Sequence, residues 1–293
     1  MTPVRRVDIA FLRSVQDEPW VDRTKKTFVD ENTAYIPVKE GYPYDLELLA
    51  QKKKKRGFQR VGDIILFHGP RPAKADLLFV IDAFSPVGVL WVHGHTGITR
   101  QPIVSCLYGY SHEITHKEAG ILYRFDPSLV MFSQGNREEK RRVAEQIISG
   151  ERVIDMFAGI GYFTLPLAKM GAHIEAVEIN PVAYRYLCMN ISLNNLKNIH
   201  PIYGNCLHNL SGIYDRIHMG HFDAISFLPA ALQHIQAGTV LHVHMVTDKG
   251  GEKEKEKIRA MLEDYALAAE LSWHPVKKVH PRVWHVVCDI RIM

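Results

Sequence analysis

The stretch VIDMFAGIGYF, residues 153–163, sets two glycines, Gly159 and Gly161, just past a β-type run, with the acid Asp155 ahead of them. Glycine at such a bend admits positive φ and lets the backbone come close to a ligand. Seventeen positions after Gly161, Glu178 ends the next apolar run, HIEAVEI. A carboxylate there is suited to accept hydrogen bonds from both ribose hydroxyls of an adenosine. Bend and acid together read as a nucleoside-cofactor site. A dinucleotide fingerprint wants a third glycine where the chain has Thr164, and it usually opens a domain rather than beginning after residue 150. A pyrophosphate is repelled by a carboxylate at Asp155, whereas the cationic end of S-adenosylmethionine is not. The bend therefore reads as an S-adenosylmethionine site. In the alternative, Asp155 only hydrogen-bonds its own loop and Glu178 caps the helix that begins at Pro181.

The elements around the bend must put it at the carboxyl end of a sheet. NREEKRRVAEQIISG reads as a helix capped by Asn136 and closed by Gly150. Strand and helix patterns then alternate: RVIDMF, YFTLPLAKMG, HIEAVEI, a helix from Asn180 with Pro181 at its first position, IHPIYG, YDRIHMG, a helix through AISFLPAALQHI, and TVLHVHMV. Such alternation implies a parallel sheet with right-handed crossovers, and ligands bind beyond the carboxyl ends of its strands. SWHPVKKV and RVWHVVCDIRI are separated by so few residues that they form a hairpin, which adds an antiparallel ending. Earlier, TAYIPV, GDIILFHG, DLLFVIDAF, GVLWVHG, IVSCLYG and ILYRFD read as β-type runs punctuated by Gly, Pro and Asp. The fold class expected is α/β: a Rossmann-like S-adenosylmethionine-dependent transferase sheet with an antiparallel terminal hairpin, preceded by a small β-rich domain. The domains expected are an N-terminal segment over 1–55, the β-rich domain over 56–132 and the cofactor-binding domain over 133–293.

Composition narrows the partners. The chain has 293 residues and a formal net charge of +4, which permits a nucleic-acid partner without demanding one. Four cysteines with no CxxC spacing fit a reduced, cytoplasmic protein, and no apolar run approaches the roughly 20 residues that span a bilayer. His242 and His244 fall on one strand face and supply two metal ligands at most, so no metal is expected. The run QKKKKRGFQR, residues 51–60, is a solvated loop or a phosphate contact. EKEKEKIR alternates in sign along a helix, as a solvated face does, and Trp91, Trp273 and Trp284 lie in β-type runs as core residues.

The motifs THKEAGILYRFDPSLVMFSQGNREEKRRVAEQI, VIDMFAGIGYFTLPLA, VEINPVAYRYLCMNI, YDRIHMG and HPRVWHVVCDIRI resemble those of the wybutosine-pathway tRNA enzymes of archaea and eukaryotes. The resemblance covers residues 60–293 and is densest over 112–293. Two sister activities share these motifs: a tRNA guanine-37 N1-methyltransferase and a 3-amino-3-carboxypropyl transferase. The methyltransferase carries an Asn-Leu-Pro-type turn after the fourth strand, where this chain has DRIHMGHFD with Gly220 and His221. MFSQGN at 131–136 and VWHVVCD are similar to the carboxypropyl transferase group.

The resemblance implies transfer of the 3-amino-3-carboxypropyl group of S-adenosylmethionine onto the tricyclic base 4-demethylwyosine at position 37 of phenylalanine tRNA, with release of methylthioadenosine. It implies cofactor contacts at Ser133, Lys140, Glu178, Asn205 and Cys206, besides the bend residues Asp155, Phe157, Gly159 and Gly161. Ser133 and Lys140 would grip the carboxylate of the methionine arm. Lys140 stands where the family usually has arginine, and Asn205 where an acid is more usual. His116, Gly220 and His221 are the candidate RNA contacts, and no residue is required as a general base. The partner expected is the anticodon loop of the tRNA, with residues 1–55 as a further RNA contact, no membrane and no obligate protein partner. The alternatives are the sister methyltransferase and a non-catalytic RNA-binding protein.

Overall fold

The computed structural model describes residues 2–30, 32–48, 56–132 and 136–293, and it divides into two compact units, Met1–Arg56 and Gly57–Met293. The first unit, expected as an N-terminal segment with one β-type run, TAYIPV, is a small sheet. Strands β1 (Thr2–Asp8), β2 (Phe28–Asp30), β3 (Thr33–Pro37) and β4 (Leu46–Leu48) are ordered β2-β3-β1-β4, and a short helix α1 (Leu12–Val15) follows β1. Val21, Ala34 and Ile36 form its core, with Leu12, Val15 and Trp20 packed against them.

The second unit opens with β5 (Gln59–Val61), β6 (Ile64–His68), helix α2 (Lys74–Phe84), β7 (Gly88–Thr96) and β8 (Gln101–Gly109), whose strands are ordered β5-β6-β7-β8. The run DLLFVIDAF, expected as a strand, is part of α2. The Asp76 carboxylate accepts from the Ala73 backbone N–H (3.0 Å), and Leu77, Val80, Ile81 and Phe84 make one apolar face against Ile65, Phe67 and Val89. The helix is the crossover that lets β6 and β7 run parallel, with Ile64 opposite Gly88. A hairpin of β9 (Ile114–Glu118) and β10 (Ile121–Phe125) comes next.

Helix α3 (Arg137–Ala144) then leads into β11 (Arg152–Asp155), α4 (Thr164–Lys169), β12 (His173–Glu178), α5 (Pro181–Leu193), β13 (Ile199–Tyr203), β14 (Arg216–Met219), α6 (Leu228–Ala231), β15 (Val240–Thr247), α7 (Glu252–Asp264), β16 (Ala269–His280) and β17 (Val283–Ile292). These strands make one sheet ordered β13-β12-β11-β14-β15-β17-β16. The first five are parallel and β17 is antiparallel to both β15 and β16. Asn136 does not cap α3: its side chain makes no cap bond, and its Oδ1 is buried without a partner among the described residues. Asn180 does cap α5, accepting from the Val182 and Ala183 N–H groups (2.9 and 3.3 Å). The helix expected through AISFLPAALQHI is three short turns, with α6 between two 3₁₀ segments. On α7 only Ile258 and Leu262 are buried, so the sign-alternating run does lie largely in solvent.

Residues 57–132 and 136–293 share one core. Ile64, Leu66 and Leu90 of the smaller sheet and Tyr123 and Phe125 of β10 belong to the same apolar cluster as Ile160, Leu165 and Tyr186. Trp91, Trp273 and Trp284 pack at the edges of the cores, partly buried. Among the described residues no helix is long and apolar enough to cross a membrane.

Candidate S-adenosylmethionine site

A cavity of about 420 Å³ opens over the carboxyl ends of the central strands, within the size range of small-molecule sites. Its wall follows the sheet order. Gly204, Asn205, Cys206 and Leu207 come after β13, Glu178 and Asn180 from the end of β12, Phe157, Gly159, Ile160 and Tyr162 after β11, and Gly220, His221 and Phe227 after β14. Ile98–Arg100, between β7 and β8, and Val130–Met131 close it from the other side.

The bend is built by its glycines and by Glu178. Gly159 has φ +58°, and a Cβ there would stand 2.6 Å from the Tyr162 ring. Its N–H donates to Glu178 Oε2 (2.7 Å), while Asn180 N–H donates to Oε1 (2.7 Å). One carboxylate thus ties the bend to the start of α5. Each oxygen keeps a lone pair for a ligand hydroxyl, since an ionised carboxylate accepts at about four sites. Burial raises the Glu178 pKa, and the backbone donors oppose that shift.

Asp155 and Gly161 stand behind the wall. The Asp155 carboxylate is buried and accepts from Thr164 Oγ1 (2.7 Å) and Phe157 N–H (3.3 Å), with His218 Nδ1 at 3.2 Å. Its partners are in its own loop and on β14. A Cβ on Gly161 would strike Leu165 (2.8 Å), so this glycine permits the turn into α4 to pack and does not face the cavity. Lys140 is also away from the wall. Its Nζ pairs with the Glu118 carboxylate in a buried site, 5.6 and 5.7 Å from the Tyr123 and Phe132 ring centroids. Burial lowers the Lys140 pKa and Glu118 opposes the shift. Ser133 lies outside the described residues, as do residues 51–55 of the basic run. His116, on β9, packs edge-on against Phe132 (5.1 Å) and is not on the wall.

Phe157, Gly159, Glu178, Asn205, Cys206, Gly220 and His221 do converge on the cavity. The Asn205 side-chain oxygen accepts from Leu207 N–H (3.0 Å), which leaves its NH₂ to face a ligand. Burial lifts the Cys206 thiol to about 11. The His221 ring stacks on Phe157 (5.2 Å), and its Nδ1 accepts from Asp223 N–H (3.2 Å). Burial, and then the charge of Arg100, lower its pKa. Arg100 is a wall residue absent from the sequence expectations. It has φ +49°, and its guanidinium sits 4.8 Å over the Phe222 ring. The one sequence cue is Gly97, whose carbonyl accepts from Arg100 N–H (3.2 Å) in the turn between β7 and β8.

His242 and His244 belong to a buried group spanning β14, β15 and β17. His218 Nε2 lies 3.2 Å from His244 Nε2, and His244 Nδ1 lies 2.9 Å from His285 Nε2. His242 sits between Asp289 (2.6 Å) and Arg216 (2.7 Å).

Residues 114–271 match the family model described as the TRM5/TYW2 methyltransferase domain. The chain is 37% identical to the Methanocaldococcus jannaschii tRNA(Phe) (4-demethylwyosine(37)-C(7)) aminocarboxypropyltransferase, over 80% of this chain and 97% of that one. The crystal structure of M. jannaschii TYW2 in complex with AdoMet superposes with a TM-score of 0.65 and 32% identity, covering 80% of this chain and 99% of that one. Trm5b from Pyrococcus abyssi superposes with a TM-score of 0.73 and 26% identity, covering 100% and 99%. With its glycine bend, its acid at the end of β12 and a family match over more than half its length, the chain belongs to the TRM5/TYW2 family.

Proposed function

We propose that the cavity binds S-adenosylmethionine and that the protein transfers its 3-amino-3-carboxypropyl group to 4-demethylwyosine at position 37 of phenylalanine tRNA, releasing methylthioadenosine. The observation that carries this reading is the cavity wall after β14, where Gly220 and His221 stand beside the bend with no Asn-Leu-Pro turn. The 37% identity to an aminocarboxypropyltransferase supports it.

The donor supplies a carbon already activated by the sulfonium, so the protein's task is alignment. Glu178 takes the ribose hydroxyls with the lone pairs its two backbone donors leave. Asn205 offers an NH₂ donor, which suits a ring nitrogen of adenine where an acid would suit the exocyclic amine. Gly220 lets the backbone after β14 lie against the His218 ring, where a Cβ would stand 2.8 Å away, and its main chain lines the wall directly. His221, its Nδ1 occupied by Asp223 N–H, carries its neutral proton on Nε2 and donates to the base. Arg100 completes that side as an anchored cation for the anticodon-loop RNA.

Two samples of S-adenosylmethionine test this, one labelled in the methyl group and one in the carboxyl carbon. Each is incubated with phenylalanine tRNA bearing either guanosine or 4-demethylwyosine at position 37. Carboxyl label entering only the tricyclic tRNA is the expected result. Methyl label entering the guanosine tRNA would overturn it in favour of the sister methyltransferase.

A further inference from the structure

Tyr162 is a wall residue whose polar atom finds no hydrogen-bond partner among the described residues. Its ring packs beneath Gly159 and 5.8 Å from Phe132, positions a phenylalanine would fill equally well. Its hydroxyl oxygen is buried and makes no hydrogen bond among the described residues. Leaving such a group unpaired costs on the order of 1–3 kcal/mol. A ligand seated in the cavity would remove that cost.

The sheet order says which part of the donor this is. Asn205–Leu207 follow β13 at one end of the wall, and Glu178 ends the neighbouring β12. Adenosine held by these groups extends its sulfonium and methionine arm to the next position, β11, where Tyr162 follows the bend. Beyond Tyr162 come Phe132 and the Lys140–Glu118 pair, and the Tyr123 hydroxyl reaches the Tyr162 carbonyl (3.5 Å). Lys140 is committed to Glu118, so the grip expected from it falls to another group.

We propose that the Tyr162 hydroxyl hydrogen-bonds the charged amino-acid end of the donor's methionine arm, and so reads the part of the molecule that is to be transferred. This rests on the cavity being the S-adenosylmethionine site. Burial raises the Tyr162 pKa well above its ordinary value, which keeps the group a neutral donor. A neutral hydroxyl bonded to a charged group is worth roughly ten- to a hundredfold in affinity.

Methylthioadenosine shares the adenosine and thioether of the donor and lacks its amino-acid end, so comparing the two ligands isolates the contact. Dissociation constants for S-adenosylmethionine and methylthioadenosine are measured by calorimetry on the wild type and on Tyr162→Phe, together with the melting temperature of each ligand-free protein. The expected result is a loss of roughly ten- to a hundredfold for S-adenosylmethionine, methylthioadenosine unchanged within about twofold, and a ligand-free melting temperature no lower than wild type. Equal weakening of both ligands would place the hydroxyl on the adenosine, and no change in either would leave it without a ligand role. Either result overturns the proposal. A wild type that moves only methyl label would sink the transferase reading, and the ratio of the two affinities would still decide the role of Tyr162.

Discussion

Acidification from pH 7 to pH 5 offers a proton to His285 that the unfolded chain accepts and the folded protein refuses. The ring is fully buried between His244 and Phe222 (5.1 Å), and its Nδ1 has no partner among the described residues. Burial, then the positive charge of Lys277 and the neighbouring His218, lower its pKa from 6.5 to about 4. The folded state therefore binds fewer protons than the unfolded one throughout that window. Stability is complete above pH 6.5, falls as the pH falls, and levels off near pH 4, where both states are protonated. The loss from His285 alone works out at about 2 kcal/mol at pH 5 and about 3 kcal/mol below pH 4. Burial and the neighbouring histidines push His244 in the same direction. At Asp289 burial is outweighed by His242 and Arg142, so its pKa is depressed, and it adds a loss only below the ordinary carboxylate range. Urea denaturation at pH 7, 6 and 5 on the wild type and on His285→Gln, whose amide can still donate to His244, measures the difference. The slope of stability against pH should fall by about one proton in the variant. Equal slopes would refute the reasoning.

Glu178→Gln leaves one backbone N–H facing an amide NH₂ and removes an acceptor from the ribose side, so calorimetry should show S-adenosylmethionine and methylthioadenosine weakened alike, by about 1.5–3 kcal/mol. Gly159→Ala forces a side chain into the left-handed region at about 1–2 kcal/mol and drives its Cβ into the Tyr162 ring, so both melting temperature and donor binding should drop. Lys140→Met strands Glu118 in a buried site and should cost about 3–5 kcal/mol in denaturant unfolding, with much of it recovered in Lys140→Met/Glu118→Gln. Arg100→Ala should weaken tRNA binding in a filter assay while leaving donor affinity within about twofold, as the proposed role of its guanidinium on the RNA requires.

The bend and Glu178 were legible because each rests on a local requirement. A glycine past a strand allows left-handed backbone, and an acid at the next strand end lies beside it once the two strands pair. The sheet and its terminal hairpin followed from alternation and from a short connection. Apolar content alone did not separate helix from strand in DLLFVIDAF, and the deciding marks were the Asp76 cap and the spacing of Leu77, Val80, Ile81 and Phe84. Side-chain direction was the other gap. The sequence puts a carboxylate at 155 and a lysine at 140, yet which way each turns depends on partners far off in the chain, His218 for one and Glu118 for the other. Arg100 reaches the cavity because Thr99 C=O accepts from Asn180 Nδ2 (3.2 Å) across 81 positions, a contact no local pattern announces.

The buried imidazoles give Asp155 something a sequence could not promise. Among the described residues no lysine or arginine pairs with this carboxylate. Because Asp155 already accepts from Thr164 and Phe157, His218 meets it as a donor, and that choice propagates outward. His218 then accepts from His244, and His244 accepts from His285. All three N–H vectors run the same way, so their dipoles add, as peptide dipoles do along a helix, and the positive end rests on Asp155. A row of aligned ring dipoles thus faces the carboxylate. The acid under the bend is thereby oriented by a hydrogen-bonded row that reaches through β14 and β15 to β17.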